Sequence, residues 1–80
     1  MKVVIKVRLK SVILDAQGKT VQQALEHLGY DSVSDVRVGK LIEFEIDSQD
    51  EEKVKQTARE MADRLLSNPV METYDIEVIK

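Results

Sequence analysis

The chain has no cysteine and no tryptophan, and only one proline, one phenylalanine and one histidine among eighty residues. Without cysteine there is no disulfide, no thiolate metal ligand and no thiol nucleophile. His27 lies on the flank of an expected helix with no second ligand at helical spacing, so it reads as a solvated surface side chain. Long hydrophobic runs are missing too. The opening Met1-Lys2-Val3-Val4-Ile5-Lys6 alternates too soon for the core of a signal peptide, and no segment approaches spanning length. A cytoplasmic location is expected, which the lack of cysteine fits. A basic surplus is also absent: the net charge is −3 with both signs interleaved, which argues against nucleic-acid and membrane partners.

What is present is an ordinary folding composition, 42 % hydrophobic and 34 % charged, with no linker, repeat or low-complexity stretch. Residues 1–80 are therefore expected to form a single domain. A chain of this size buries only about 60–65 % of the surface it exposes when unfolded, so an oligomer or partner surface is a reasonable supplement.

Val3, Ile5, Val7 and Leu9 alternate with Lys6, Arg8 and Lys10, which predicts a half-buried strand. Asp15 can cap a helix over 16–28, with Val21, Ala24, Leu25 and Leu28 on one side and Gly29 at its end. Segments 33–38 and 41–47 read as a second and third strand around Gly39. Ser48 and Glu51 have capping-box spacing, and Val54, Ala58, Met61, Ala62 and Leu65 predict the apolar face of a second helix, which Asn68-Pro69 stops. Tyr74, Ile76 and Val78 mark a last strand.

The order βαββαβ predicts a ferredoxin-like α+β two-layer sandwich, a four-stranded antiparallel sheet in the order 4-1-3-2 with both helices on one face. Strand one would then set Lys6 and Arg8 between Glu43 and Glu45 on one side and Asp75 and Glu77 on the other, each cross-strand pair contributing about 0.2–1 kcal/mol. At the central hairpin, a two-residue Gly39-Lys40 loop would split the apolar residues between two faces. A three-residue loop unites them and sets Arg37 opposite Glu43, which predicts an odd-length turn or an equivalent bulge. Val4, Leu41 and Ile79 fall on the charged face and hint at contact between sheets.

Chemistry is scarce. There is no Gly-rich phosphate loop and no metal-ligand spacing. The acidic run Asp47 to Glu52 is explained by helix capping and the helix dipole, and Glu43 and Glu45 by balancing the basic strand. RNA-recognition modules share the βαββαβ order but stack bases on aromatics of the central strands, where this chain has Lys6 and Arg8. A small-ligand-sensing regulatory domain on the same scaffold is the alternative reading.

Four segments taken together carry a family resemblance: Leu14-Asp15-Ala16-Gln17-Gly18, Ala24-Leu25 with Leu28-Gly29-Tyr30, Asp35-Val36-Arg37-Val38-Gly39-Lys40, and Leu65-Leu66-Ser67-Asn68-Pro69-Val70. In this order and length the chain resembles the PurS family, the small subunit of bacterial and archaeal phosphoribosylformylglycinamidine synthase. Family members commonly carry proline after the aspartate, where Ala16 stands here; proline at the first helical position only preorganises the helix start, so the fold should be kept.

The resemblance implies a place in the fourth step of de novo purine synthesis, in which formylglycinamide ribonucleotide, ATP and glutamine yield formylglycinamidine ribonucleotide. It implies two partners, a synthetase large subunit that uses ATP and Mg and a glutaminase subunit that releases ammonia. This chain would bind no cofactor and contribute no catalytic residue, would form a homodimer or higher oligomer, and would bridge the other two for ammonia transfer. The contact candidates are Asp15, Gly18, Arg37, Gly39, Lys40, Asn68 and Pro69. Structural roles compete for most of them: Asp15 as cap, Gly18 in close packing, Gly39 as turn, Asn68-Pro69 as helix stop.

Overall fold

The computed structural model describes all residues 1–80. Strand β1 spans Lys2–Leu9, helix α1 Ala16–His27, strand β2 Lys40–Glu45, helix α2 Glu51–Met61 and strand β3 Glu72–Ile79. A π-helical turn over Ala62–Leu66 continues α2. The sheet has three strands in the order β2-β1-β3, with both pairings antiparallel.

The expected four-stranded sheet is thus corrected to three, because 33–38 forms no strand. The reason is where its backbone donors go. Alternate amides of an extended segment point the same way. Here Val36 N donates to Gln22 Oε1 at 3.4 Å and Val38 N to Asp15 Oδ2 at 2.7 Å. Side chains of α1 and its cap have taken the amides a ladder would need, and Asp35 enters the segment at a left-handed φ of 54°. With no strand there, the hairpin around Gly39 is absent and Arg37 does not face Glu43. The carboxylate of Glu43 lies 3.6 Å from Lys2 Nζ instead.

The rest of the sheet follows the alternation. On its outer face Lys6 meets Glu77 at 3.9 Å and Arg8 meets Asp75 at 3.3 Å, as the basic central strand suggested. On the β2 side the register sets Lys6 beside Leu41, so the pairing expected with Glu43 and Glu45 falls to Lys2. Inward, Val3, Ile5 and Val7 are at most 1 % exposed, each contributing about 1.5–3 kcal/mol by burial. Against them lie Val54, Ala58 and Ala62 of α2 and its extension.

Three details of α2 differ from the pattern, one being that Met61, expected on its apolar face, is exposed. Asp50, not Ser48, is the N-cap: its side chain accepts from Lys53 N at 3.3 Å, while Ser48 Oγ accepts from Asp50 N at 3.2 Å. The π-helical turn then carries Leu66, not Leu65, to the core, leaving Leu65 82 % exposed. It closes on Ser67, whose amide and hydroxyl both donate to Ala62 O, at 2.9 and 3.0 Å.

Helix α1 does not pack extensively on the sheet, contrary to the expectation of two helices on one face. It leaves the end of β1 as an arm. The molecule measures 49 × 26 × 14 Å with a radius of gyration of 16.0 Å, against about 12 Å for a compact chain of this length.

Candidate functional site

Asp15 ties the base of the arm together. As N-cap of α1 it accepts from Gly18 N through Oδ1 at 2.8 Å, and Oδ2 takes the Val38 amide. The side chain is buried. Those two amides, Val38 first, hold its carboxyl below the ordinary carboxylate range; the Arg37 charge adds a smaller effect in the same direction, and burial opposes.

Gly18 makes this geometry possible. A Cβ there would collide with the Val36 carbonyl oxygen and sit 3.0 Å from Asp15 Cγ, so the helix can lie against 36–38 only with a hydrogen at that position. Gly39 allows the next close approach, since a Cβ would stand 2.5 Å from Val7 O. Arg37 points the other way: its Nη2 donates to Lys10 O at 3.0 Å and Ile13 O at 2.9 Å, clamping the turn between β1 and α1.

The remaining candidates lie at the same end of the sheet, where Lys10 N donates to Met71 O at 2.8 Å. Lys40 Nζ is 3.6 Å from Glu72 Oε2, and Asn68 N donates to Glu72 Oε1 at 2.7 Å. Asn68 Oδ1 accepts from Val70 N across Pro69 at 3.0 Å, forming the turn into β3. Glu72 therefore joins Lys40 to Asn68, a role the sequence reading missed. Its signal was one of phase: Glu72 and Lys40 occupy the same alternation as the inward Tyr74, Ile76, Ile42 and Phe44, each a charge on the apolar side of its strand.

Around this knot the arm exposes what a helix normally hides. Val21 is 39 % and Leu28 73 % exposed on one stripe of α1, and Val12, Leu14 and Tyr30 are exposed beside it. His27 lies exposed in the last turn of α1, as expected of a surface histidine.

A family model, PurS, described as phosphoribosylformylglycinamidine (FGAM) synthase, matches residues 2–80. The chain belongs to the PurS family. It is 43 % identical over 77 residues to phosphoribosylformylglycinamidine synthase subunit PurS of Bacillus subtilis, covering 96 % of this chain and 90 % of that protein. Among solved structures it is similar to PurS of Methanocaldococcus jannaschii, one of the subunits of formylglycinamide ribonucleotide amidotransferase in the purine biosynthetic pathway. The TM-score is 0.88 and the identity 39 %, over 99 % of this chain and 95 % of that one. A chain in the structure of PurLQS from Thermotoga maritima matches with a TM-score of 0.86 and 30 % identity, over 95 % and 93 % of the two chains. The three-stranded sheet and projecting arm are thus found here in a chain whose relatives are subunits of a purine-pathway synthase.

Proposed function

We propose that this chain is the assembly subunit of phosphoribosylformylglycinamidine synthase, acting in purine biosynthesis by joining the synthetase and glutaminase chains so that ammonia passes between them. The observation that carries the reading is the arm: α1 carries an apolar stripe that its own sheet does not cover. Two sheet edges, β2 and β3, are likewise unpaired. Relatives that are PurS subunits, and a similar chain in PurLQS, support the same reading.

In this reading the chain self-associates through the arm, the reaction chemistry and its ATP and Mg reside on the partners, and the complex works in the cytoplasm. The knot formed by Asp15, Gly18, Arg37 and Gly39 sets the direction of the arm, and Lys40, Asn68 and Pro69 shape the neighbouring rim. No helix is long and apolar enough to cross a membrane.

Reconstitution tests the proposal. Glutamine-dependent synthesis by the synthetase and glutaminase is expected only when this chain is added. The paired substitution Val21→Glu and Leu28→Glu should abolish self-association in the ultracentrifuge while the fold is kept. Full glutamine-dependent activity without the chain would refute the assembly role.

A further inference from the structure

Beside the arm base lies an open cleft of about 720 Å³, walled by the end of β1 and the following turn, Arg8 to Val12, and by 35–38 of the returning segment. Its charge differs from that of the chain as a whole. Arg8, Lys10 and Arg37 line it against one carboxylate, Asp35, in a protein of net charge −3. Arg8 is tethered by its 3.3 Å bond to Asp75, and Arg37 by two backbone carbonyls. Lys10 is in no ion pair. The buried Asp15 carboxylate, already satisfied by two amides, lies on the far side of Arg37.

We propose that this cleft receives an extended acidic segment of a partner subunit; the inference rests on the assembly reading but names a surface which that reading leaves open. Arg8 and Lys10 are two residues apart at the end of a strand, so they are separated by about 6–7 Å along it. Alternate carboxylates of an extended peptide have the same spacing. A single phosphate would need cations converging on one point, whereas Arg8 is held by Asp75 and Arg37 by the Lys10 and Ile13 carbonyls; Ser11 and Thr73 also line the cleft. Because Arg8 and Arg37 are held in place before any ligand arrives, little side-chain freedom is lost on binding.

The test uses the full chain and a short peptide of alternating glutamate and threonine, followed by fluorescence anisotropy. Arg8→Gln combined with Lys10→Glu is expected to weaken binding about tenfold, as is raising salt from about 50 to about 300 mM. Asp35→Asn, which removes the one carboxylate in the cleft and tolerates the left-handed φ, is expected to tighten it. Equal binding by wild type and the double variant, no binding by wild type, or displacement by low millimolar inorganic phosphate would each overturn the proposal. In parallel, the double variant should weaken assembly with the synthetase and glutaminase while it stays folded, its self-association unchanged and its Tm lowered only by the loss of the Arg8–Asp75 pair. Assembly that forms with wild type and is unaffected in the double variant also overturns the cleft. If wild type binds the peptide but assembles with neither subunit, the bridging reading fails and the acidic-segment site keeps its chemistry without that partner.

Discussion

Gly18→Ala in a helix interior would ordinarily stabilise, because alanine is favoured over glycine by about 1 kcal/mol. Here the sign is expected to reverse. The added methyl would meet the Val36 carbonyl oxygen, backbone that cannot rotate aside, with Val36 C and Asp15 Cγ both at 3.0 Å. Restoring van der Waals distance requires 36–38 to retreat by about 1 Å. The Val38 N to Asp15 Oδ2 bond, 2.7 Å in the native fold, would then exceed hydrogen-bond range. Overpacking costs about 1–3 kcal/mol, and the lost bond, about 1 kcal/mol, offsets the propensity gain, so a net loss of about 1–3 kcal/mol is expected. For a domain this size that lowers Tm by roughly 4–24 °C. Circular dichroism melts at matched protein concentration give the number, since association shifts Tm by mass action. Hydrogen exchange at the Val36 and Val38 amides should accelerate in the same variant. A Tm equal to or above wild type, with those amides still protected, would refute the reasoning.

Other outcomes follow from the same geometry. The Asp15 carboxyl titrates below its ordinary 3.8, so its contribution to stability is complete above that pH and is lost as pH falls through the lower folded value; Asp15→Asn should flatten the acid limb of a Tm-against-pH curve. Arg37→Ala frees the turn it clamps, with a stability loss of about 1 kcal/mol at this exposed position and faster proteolysis between Lys10 and Leu14. Tyr74 donates to Asp63 Oδ1 at 2.8 Å, and desolvation first, then that bond, raise its phenol above 10.0. Stability from this group is therefore complete below pH 10 and lost as pH rises through the folded value. Tyr74→Phe should cost about 0.5–1 kcal/mol and remove the late-titrating phenolate signal from the ultraviolet spectrum.

The sequence made the sheet legible wherever one face is dry. Val3, Ile5 and Val7 announce β1, and charges of opposite sign on β1 and β3 locate them side by side. It misled at 33–38, where Val33, Val36 and Val38 are each half-buried without forming a strand. Alternation reports which side chains are covered, and says nothing of which group takes the amides. The capture of Val38 N by a carboxylate 23 residues earlier leaves no periodic trace. Leu65 and Leu66 show the same limit: both are apolar and adjacent, and only the wider π-helical turn selects Leu66. At the site, Gly18 was legible as a point of close approach but its partner was not, and Gly39, read as a hairpin turn, is instead a close approach to Val7 O. The clamp of Arg37 on two carbonyls and the Glu72 link to Asn68 arise from how distant turns meet.

The central position of β1 also bears on when the protein can fold. Lys2 pairs with Ile79, so the first strand finds its last partner at the opposite end of the chain. The sheet can close only once residues 72–79 have been made, and contacts so far apart in sequence make folding slow for a domain of this size. Until then β1, whose Val3, Ile5 and Val7 are among the most deeply buried residues of the finished molecule, has at most β2 beside it. Truncation before Glu72, which removes β3, should therefore act as a folding defect and not as a trimmed edge.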